Sequence, residues 1–242
     1  MTAGGVRLGC AGWSLPREHW PAFGAQGTHL MRYATRLPAV EINTSFYRPH
    51  RPETYRKWAD SVPATFRFCV KVPKQITHAA RLVDCEALLE TFLAQCGALG
   101  ERLDCLLVQL PPSLAYDAEV ARAFFGHLRA RYAGNIALEP RHASWQTAET
   151  LLVEQRIARV AADPPPVAHW DEPGGWSGLR YYRLHGSPRL YFSAYEPAWL
   201  EALARRLETA LADGAQVWCI FDNTASGAAT GNALDLLERM GE

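Results

Sequence analysis

Short apolar runs that end in polar residues recur at roughly 30-residue spacing along this 242-residue chain. They cover 6–11, 39–43, 67–72, 105–110, 136–141, 159–163, 179–185 and 216–223. Amphipathic stretches fill most of the gaps, at 30–37, 53–60, 85–99, 118–131, 147–155, 197–212 and 232–240. Pro52 supplies a first-turn residue for one of them, and Asp84 and Asp117 are read as N-caps. Alternating strands and helices imply parallel strands joined by right-handed crossovers. The length is close to the ~250 residues of an eightfold βα-barrel. The expectation is therefore a TIM-barrel-like α/β fold, a closed (β/α)8 barrel in one domain over 1–242. One gap resists: 164–178 reads PPPVAHWDEPGGWSG and cannot form a helix. A long irregular loop is expected there, with the barrel distorted near its sixth and seventh strands and one strand not strictly parallel.

Charge narrows the partners. Lys plus Arg and Asp plus Glu are balanced at 25 each, so the chain lacks the basic excess of a protein that coats duplex nucleic acid. Six cysteines with no Cys-x-x-Cys pair read as small buried hydrophobes in a reducing, cytoplasmic setting. Residues 1–5 show no leader pattern, and no apolar run reaches a membrane-spanning length, so no membrane association is expected. The oligomeric state is not legible.

Strands buried on both faces should be apolar throughout. These are, until their last residues: Glu41-Ile42-Asn43, Lys71, Gln109, Glu139-Pro140-Arg141, Asp163, Arg183-Leu184-His185 and Asp222-Asn223-Thr224. With a side-chain period of two, Glu41 and Asn43 share a face, as do Glu139 and Arg141, and Arg183 and His185. Charges there are costly unless they pair with one another or with a ligand. The carboxyl ends of barrel strands are where active sites sit. A purely structural salt-bridge network is the plainer alternative. Against it stand the amides, the histidine and the aromatics Trp13, Tyr47 and Trp145, which suit a small-molecule pocket.

Three further readings belong to these ends. The loops Gly186–Arg189 and Thr224–Gly231, the latter leading into the last helix, are placed to bind phosphate, or else are ordinary turns. Glu139, Asp163, His185 and Asp222 or Glu41 have the donors for a divalent metal, but Lys71, Arg141 and Arg183 compete for the same carboxylates. No cofactor is expected, with a divalent metal as the alternative. Lys71, among apolar strand residues, is open to a lowered pKa and an imine-forming role, although a salt bridge to Glu41 or Glu139 is simpler.

The ordered series Gly12-Trp13, Glu41-Ile42-Asn43 with Phe46-Tyr47, Phe68 with Val70-Lys71, Thr77-His78, Gln109-Leu110-Pro111-Pro112, Glu139-Pro140-Arg141-His142 with Ser144-Trp145, Arg183-Leu184-His185-Gly186 and Phe221-Asp222-Asn223-Thr224 resembles the domain of unknown function 72, or YecE-like, family from about residue 6 to 237. The resemblance implies a TIM-barrel-like fold and no defined activity. Cys10-Ala11 stand where that family usually has hydroxyl residues, and Asp222 where it usually has Asn.

The reading that follows is an enzyme acting by acid–base chemistry on a small anionic, phosphorylated or carboxylated metabolite. Glu139 is expected as general acid or base, with His185 second and Lys71 third. Lys71, Arg141 and Arg183 would neutralise the anion. Asn43, Gln109, Asp163, Asn223 and Thr224 would orient it, and Tyr47 and His78 would close over it. The alternatives are a metal-dependent hydrolase, isomerase or phosphodiesterase, and a non-catalytic ligand-binding or adaptor protein with an aromatic rim of Trp13, Trp20 and Trp176.

Overall fold

The apolar runs become parallel strands in a computed structural model that describes residues 5–241; most of the 1–5 segment read for a leader lies outside it. In chain order the strands are β1 (Arg7–Cys10), β2 (Ala39–Ile42), β3 (Arg67–Lys71), β4 (Leu103–Gln109), β5 (Asn135–Glu139), β6 (Ile157–Arg159), β7 (Ala161–Asp163), β8 (Gly174–Gly175), β9 (Leu179–Leu184) and β10 (Gln216–Phe221). The helices are α1 (His29–Tyr33), α2 (Thr44–Tyr47), α3 (Pro52–Asp60), α4 (Glu86–Cys96), α5 (Ala118–Arg131), α6 (Glu149–Glu154), α7 (Pro197–Ala212) and α8 (Ala228–Arg239).

The expected closed sheet is seen only in part. The fold is mixed α/β with parallel strands, but the hydrogen-bonded ladder falls into two sheets, β1-β10-β9-β7 and β2-β3-β4-β5-β6-β8. Two seams divide them, each with a local cause. Between β1 and β2 the phenol of Tyr33 is interposed. It accepts from the Cys10 amide at 2.8 Å and donates to the Ala39 carbonyl at 2.9 Å, and the strands meet only at an Ala11–Glu41 bridge. The second seam lies in the run 157–163. Its first half pairs with β5 and its second half with β9, and Val160 sits between them. The irregular loop at 164–178 supplies β8, which pairs antiparallel to β6. The expected strand runs all pair in parallel, so the antiparallel ladder is a short addition from the loop and not one of them.

Helix boundaries follow capping chemistry. Asp117 caps α5 through bonds from the Glu119 and Val120 amides, as expected. Asp84 does not cap α4: it takes a left-handed backbone, φ 47°, and α4 starts at Glu86 behind Cys85, which makes no cap bond. The stretch expected as helix at 147–155 divides into a 3-10 segment, Ala143–Ala148, and then α6. The last helix begins at Ala228, earlier than its apolar pattern, because left-handed Gly227 (φ 84°) turns the chain into it.

Strand alternation creates two cores. Outward residues such as Val70, Leu106, Leu138 and Phe221 pack against the helices. Inward residues form a smaller cluster of Ala39, Cys69, Cys105, Leu107, Ala137, Ala158, Val160, Leu179, Tyr181, Trp218 and Ile220. Mostly small side chains line it, and the rings of Tyr181 and Trp218 stack at 5.8 Å to fill its middle. All six cysteines are buried and free. No helix among the described residues is long and apolar enough to cross a membrane.

Candidate active site

The inward face continues past the apolar cluster into a buried polar layer. One strand period beyond Ala39, Cys69, Leu107, Ala137, Tyr181 and Ile220 stand Glu41, Lys71, Gln109, Glu139, Arg183 and Asp222, all buried. Arg183, 1% exposed, is the hub. Its guanidinium donates to Glu41 (Nη2–Oε1 2.8 Å, Nε–Oε2 3.1 Å) and to Glu139 (Nη1–Oε2 3.1 Å), and Nη2 lies 3.0 Å from Asp222 Oδ2. The Tyr181 hydroxyl completes Glu41 at 2.9 Å. Burial works against the charged form of Arg183, but the three carboxylates hold its pKa well above the ordinary value.

Glu139 is enclosed by donors. Oε1 accepts from Gln109 Nε2 at 3.0 Å and from Arg141 Nε and Nη2 at 2.9 and 2.8 Å. Burial raises its pKa, but Arg183, His185 and Arg141 outweigh that and hold the carboxyl well below the usual range. A carboxylate fixed in this way is a weak base and remains ionised at neutral pH.

His185 is placed differently. Its Nδ1 lies 2.9 Å from Asp222 Oδ2. Burial disfavours the charged form of Asp222, yet Arg183 and His185 hold its pKa below the ordinary carboxylate value. An ionised carboxylate only accepts, so Nδ1 carries the proton. Nε2 is buried and has no hydrogen-bond partner; it lies 3.4 Å from Glu139 Oε1, outside hydrogen-bond alignment. Burial lowers the His185 pKa, but Glu139 and Asp222 raise it by more, leaving it above the ordinary histidine value. The ring lines a cavity of about 310 Å³ with Glu139, Arg141, Pro112, Leu190 and the prolines 164–166. The irregular loop therefore forms one wall of this cavity. Tyr191, which meets the His185 ring edge-on at 5.7 Å and lies beside Arg141, is a further residue of the region.

Lys71 does not form the expected salt bridge. Among the described residues its ammonium has no carboxylate within 4 Å, and it rests over the Phe46 ring at 4.1 Å. His78 and Tyr47 meet the same ring at 5.0 Å each; Tyr47 is 71% exposed and His78 half-buried. Burial, then Lys71, Arg141 and Lys74, push the His78 pKa down. Asn43 donates to Asp222 Oδ1 at 3.3 Å and leaves its own Oδ1 without a partner.

Three expected residues lie elsewhere. The period of two puts Asp163 on the outward face with Ala161, where its carboxylate accepts from the Tyr195 hydroxyl at 2.9 Å and lines a separate cavity of about 440 Å³ with Trp199. Asn223 follows inward Asp222 and turns outward, donating to Ser193 O and Asn232 Oδ1 at 2.9 Å each. Thr224 is exposed and helps close the turn through its carbonyl. In the neighbouring loop several donors are engaged within the protein. Ser226 and Thr230 hydroxyls donate to the Phe192 and Ser14 carbonyls, and the Gly227 and Ala229 amides bond within the turn. Trp145 belongs to the outer core, donating to Leu114 O at 3.0 Å. Asp222, which the orienting set omitted in favour of Asn223, is the residue that matters at this strand end. Its parity with Trp218 and Ile220 was the available signal. Among the described residues no group of three His, Cys, Asp or Glu side chains converges as a metal ligand set.

Comparison with known proteins agrees with the motif order. The profile of the family described as "Protein of unknown function DUF72" matches residues 7–242. UPF0759 protein YecE of Escherichia coli K12 is 30% identical over 170 residues, which is 67% of this chain and 60% of YecE, so the chain spans less than two thirds of that relative. UPF0759 protein YunF of Bacillus subtilis 168 is 24% identical, covering 96% of this chain and 94% of YunF. Crystal structures of DUF72 family proteins from Enterococcus faecalis V583 (TM-score 0.81, 23% identity, 99% of this chain and 98% of that one) and Thermotoga maritima MSB8 (TM-score 0.77, 23% identity, 98% and 100%) share the fold. With a family profile spanning nearly its whole length, the chain belongs to the DUF72 family.

Proposed function

We propose that the protein is an enzyme that uses His185, held by Asp222, for acid–base chemistry on a small phosphorylated or carboxylated metabolite. The observation that carries this reading is the unpartnered Nε2 of His185 on the wall of a cavity that also presents Arg141. A raised imidazole pKa favours a proton on Nε2 that a substrate oxygen can take, and Asp222 holds the proton on Nδ1 after transfer. Arg141, bonded through Nε and Nη2 to Glu139, retains donors for an anion. Glu139 and Arg183 serve as positioning residues in this scheme, because both are fully engaged by one another and by their neighbours. The two sheets act as walls of one barrel-like enclosure, linked by the Ala11–Glu41 bridge and by Val160 between β6 and β7.

The test is thermal stabilisation by phosphorylated and carboxylated metabolites. A ligand at about a hundred times its Kd should raise Tm by roughly 5–10 °C in a chain of this size. Arg141→Met should abolish the shift. His185→Gln should leave binding in place and lower turnover of any substrate so found by about a hundredfold or more. If no anion stabilises the protein, the pocket reading is wrong.

A further inference from the structure

Lys71 is the interior cation that the network does not use. Glu41, Glu139 and Asp222 are each engaged by Arg183, and Arg141 and His185 supply further partners, so the polar layer is balanced without an ion pair to the lysine. Its ammonium rests instead on the face of Phe46. Composition sharpens the point. Twenty-two of the 25 Lys and Arg residues are arginine; the lysines are Lys57, Lys71 and Lys74. In a chain that otherwise uses arginine for most of its cations, the end of β3 carries a buried lysine, a side chain that can lose its proton and act as a nucleophile.

We infer that Lys71 forms an imine with a carbonyl group of the anionic substrate, so that the substrate class is a 2-oxo acid or a phosphorylated aldehyde or ketone. This rests on the anion-binding acid–base pocket proposed above and specifies its chemistry. The neutral amine of Lys71 adds to the carbonyl carbon, the C–N bond forms and the C=O π bond breaks, and as the nitrogen gives up one proton the former carbonyl oxygen takes one to give a carbinolamine. A second proton converts that hydroxyl to water, which leaves as the C=N bond forms. No oxidant or reductant is required. The resulting cation withdraws electrons from the adjacent carbon, where an acid–base group such as His185 can move a proton. Surroundings favour the free amine. Burial, with Arg183 next and against the pull of Glu41, Glu139 and Asp222, brings the Lys71 pKa down to about 8. At pH 7 that gives roughly 200-fold more free amine than an ordinary lysine. His78 meets the same aromatic ring, and burial with Lys71, Arg141 and Lys74 lowers its pKa, so it adds little positive charge beside the amine.

Reductive trapping tests the inference on the intact chain. The protein is incubated at pH 7 with pyruvate, glyoxylate or pyridoxal 5′-phosphate and sodium cyanoborohydride, then mapped by peptide mass spectrometry. One adduct per chain is expected, on Lys71, with Lys57 and Lys74 labelled at least tenfold less and no equivalent adduct in Lys71→Arg or Lys71→Met. Labelling of Lys57 or Lys74 as readily as Lys71, or no Lys71 adduct with any of the three probes, overturns it. Thermal shift on the same samples separates the two readings: stabilisation by these anions without trapping removes the imine alone, whereas absence of both removes the pocket as well.

Discussion

The lower and upper layers of the interior are built from the same faces of the same strands, two residues apart, and differ in what fills them. Below, Ala39, Cys69, Cys105, Ala137, Ala158 and the stacked Tyr181–Trp218 pair make a close-packed apolar plug. Above, Glu41, Lys71, Gln109, Glu139, Arg183, His185 and Asp222 make a charged one. Apolar residues of similar volume would pack the upper layer at no desolvation cost. Stability alone therefore gives no reason for charge in this layer. Within that layer the groups divide again. Arg183, Glu41 and Glu139 satisfy one another, whereas His185 Nε2 lacks a hydrogen-bond partner and Lys71 lacks a carboxylate.

The comparison breaks most readily at its hub. Arg183→Met leaves Glu41, Glu139 and Asp222 without their shared cation and should cost about 3–5 kcal/mol in urea or thermal unfolding. Adding Glu41→Gln should recover part of that loss, since it removes one stranded charge. A cost below about 1 kcal/mol would mean that water, not Arg183, satisfies the layer. Next in size is the lower layer. Trp218→Ala removes the stacked ring and the bond to Asp104 and should cost about 3 kcal/mol, with anion-induced stabilisation unchanged. Lost anion response there would show that the two layers are not separable.

The smallest effect concerns pH. The folded-state pKa of His185 is raised, so its contribution is present below the unfolded value of about 6.5 and is lost as pH rises through the folded value. Glu139 and Asp222 have lowered values, so theirs is present above about 4 and is lost as pH falls through their folded values. The stability difference between wild type and His185→Gln should therefore shrink as pH rises above 6.5. A difference independent of pH would show that His185 is neutral when folded.

Much of the site was legible along the strands because period two is rigid: once β2, β5 and β9 were placed, Glu41 with Asn43, Glu139 with Arg141, and Arg183 with His185 had to share faces. The same rule, applied at 157–163 and 216–223, separates Asp163 and Asn223 from the interior and brings in Asp222. Other features had no local signature. The break between β1 and β2 depends on Tyr33, more than twenty residues from Cys10, reaching into the seam. Asp84 has the chemistry of a cap, yet the preceding turn, with Arg81 and Leu82 also left-handed, rotates it out of that position.

The sequence by itself determined the parallel α/β class, the strand positions and the polar character of their carboxyl ends, because each depends on backbone periodicity and on the cost of burying charge. Only the tertiary structure decided which charges are engaged. Arg183 could have paired with any of several carboxylates, and Lys71 could have taken Glu41 or Glu139. Side chains from β2, β5, β9 and the end of β10 meet across the interior at distances of about 3 Å, and that geometry gives all three carboxylates to Arg183. It leaves one imidazole nitrogen without a hydrogen-bond partner and one amine without a carboxylate, for reasons of packing that no spacing along the chain encodes.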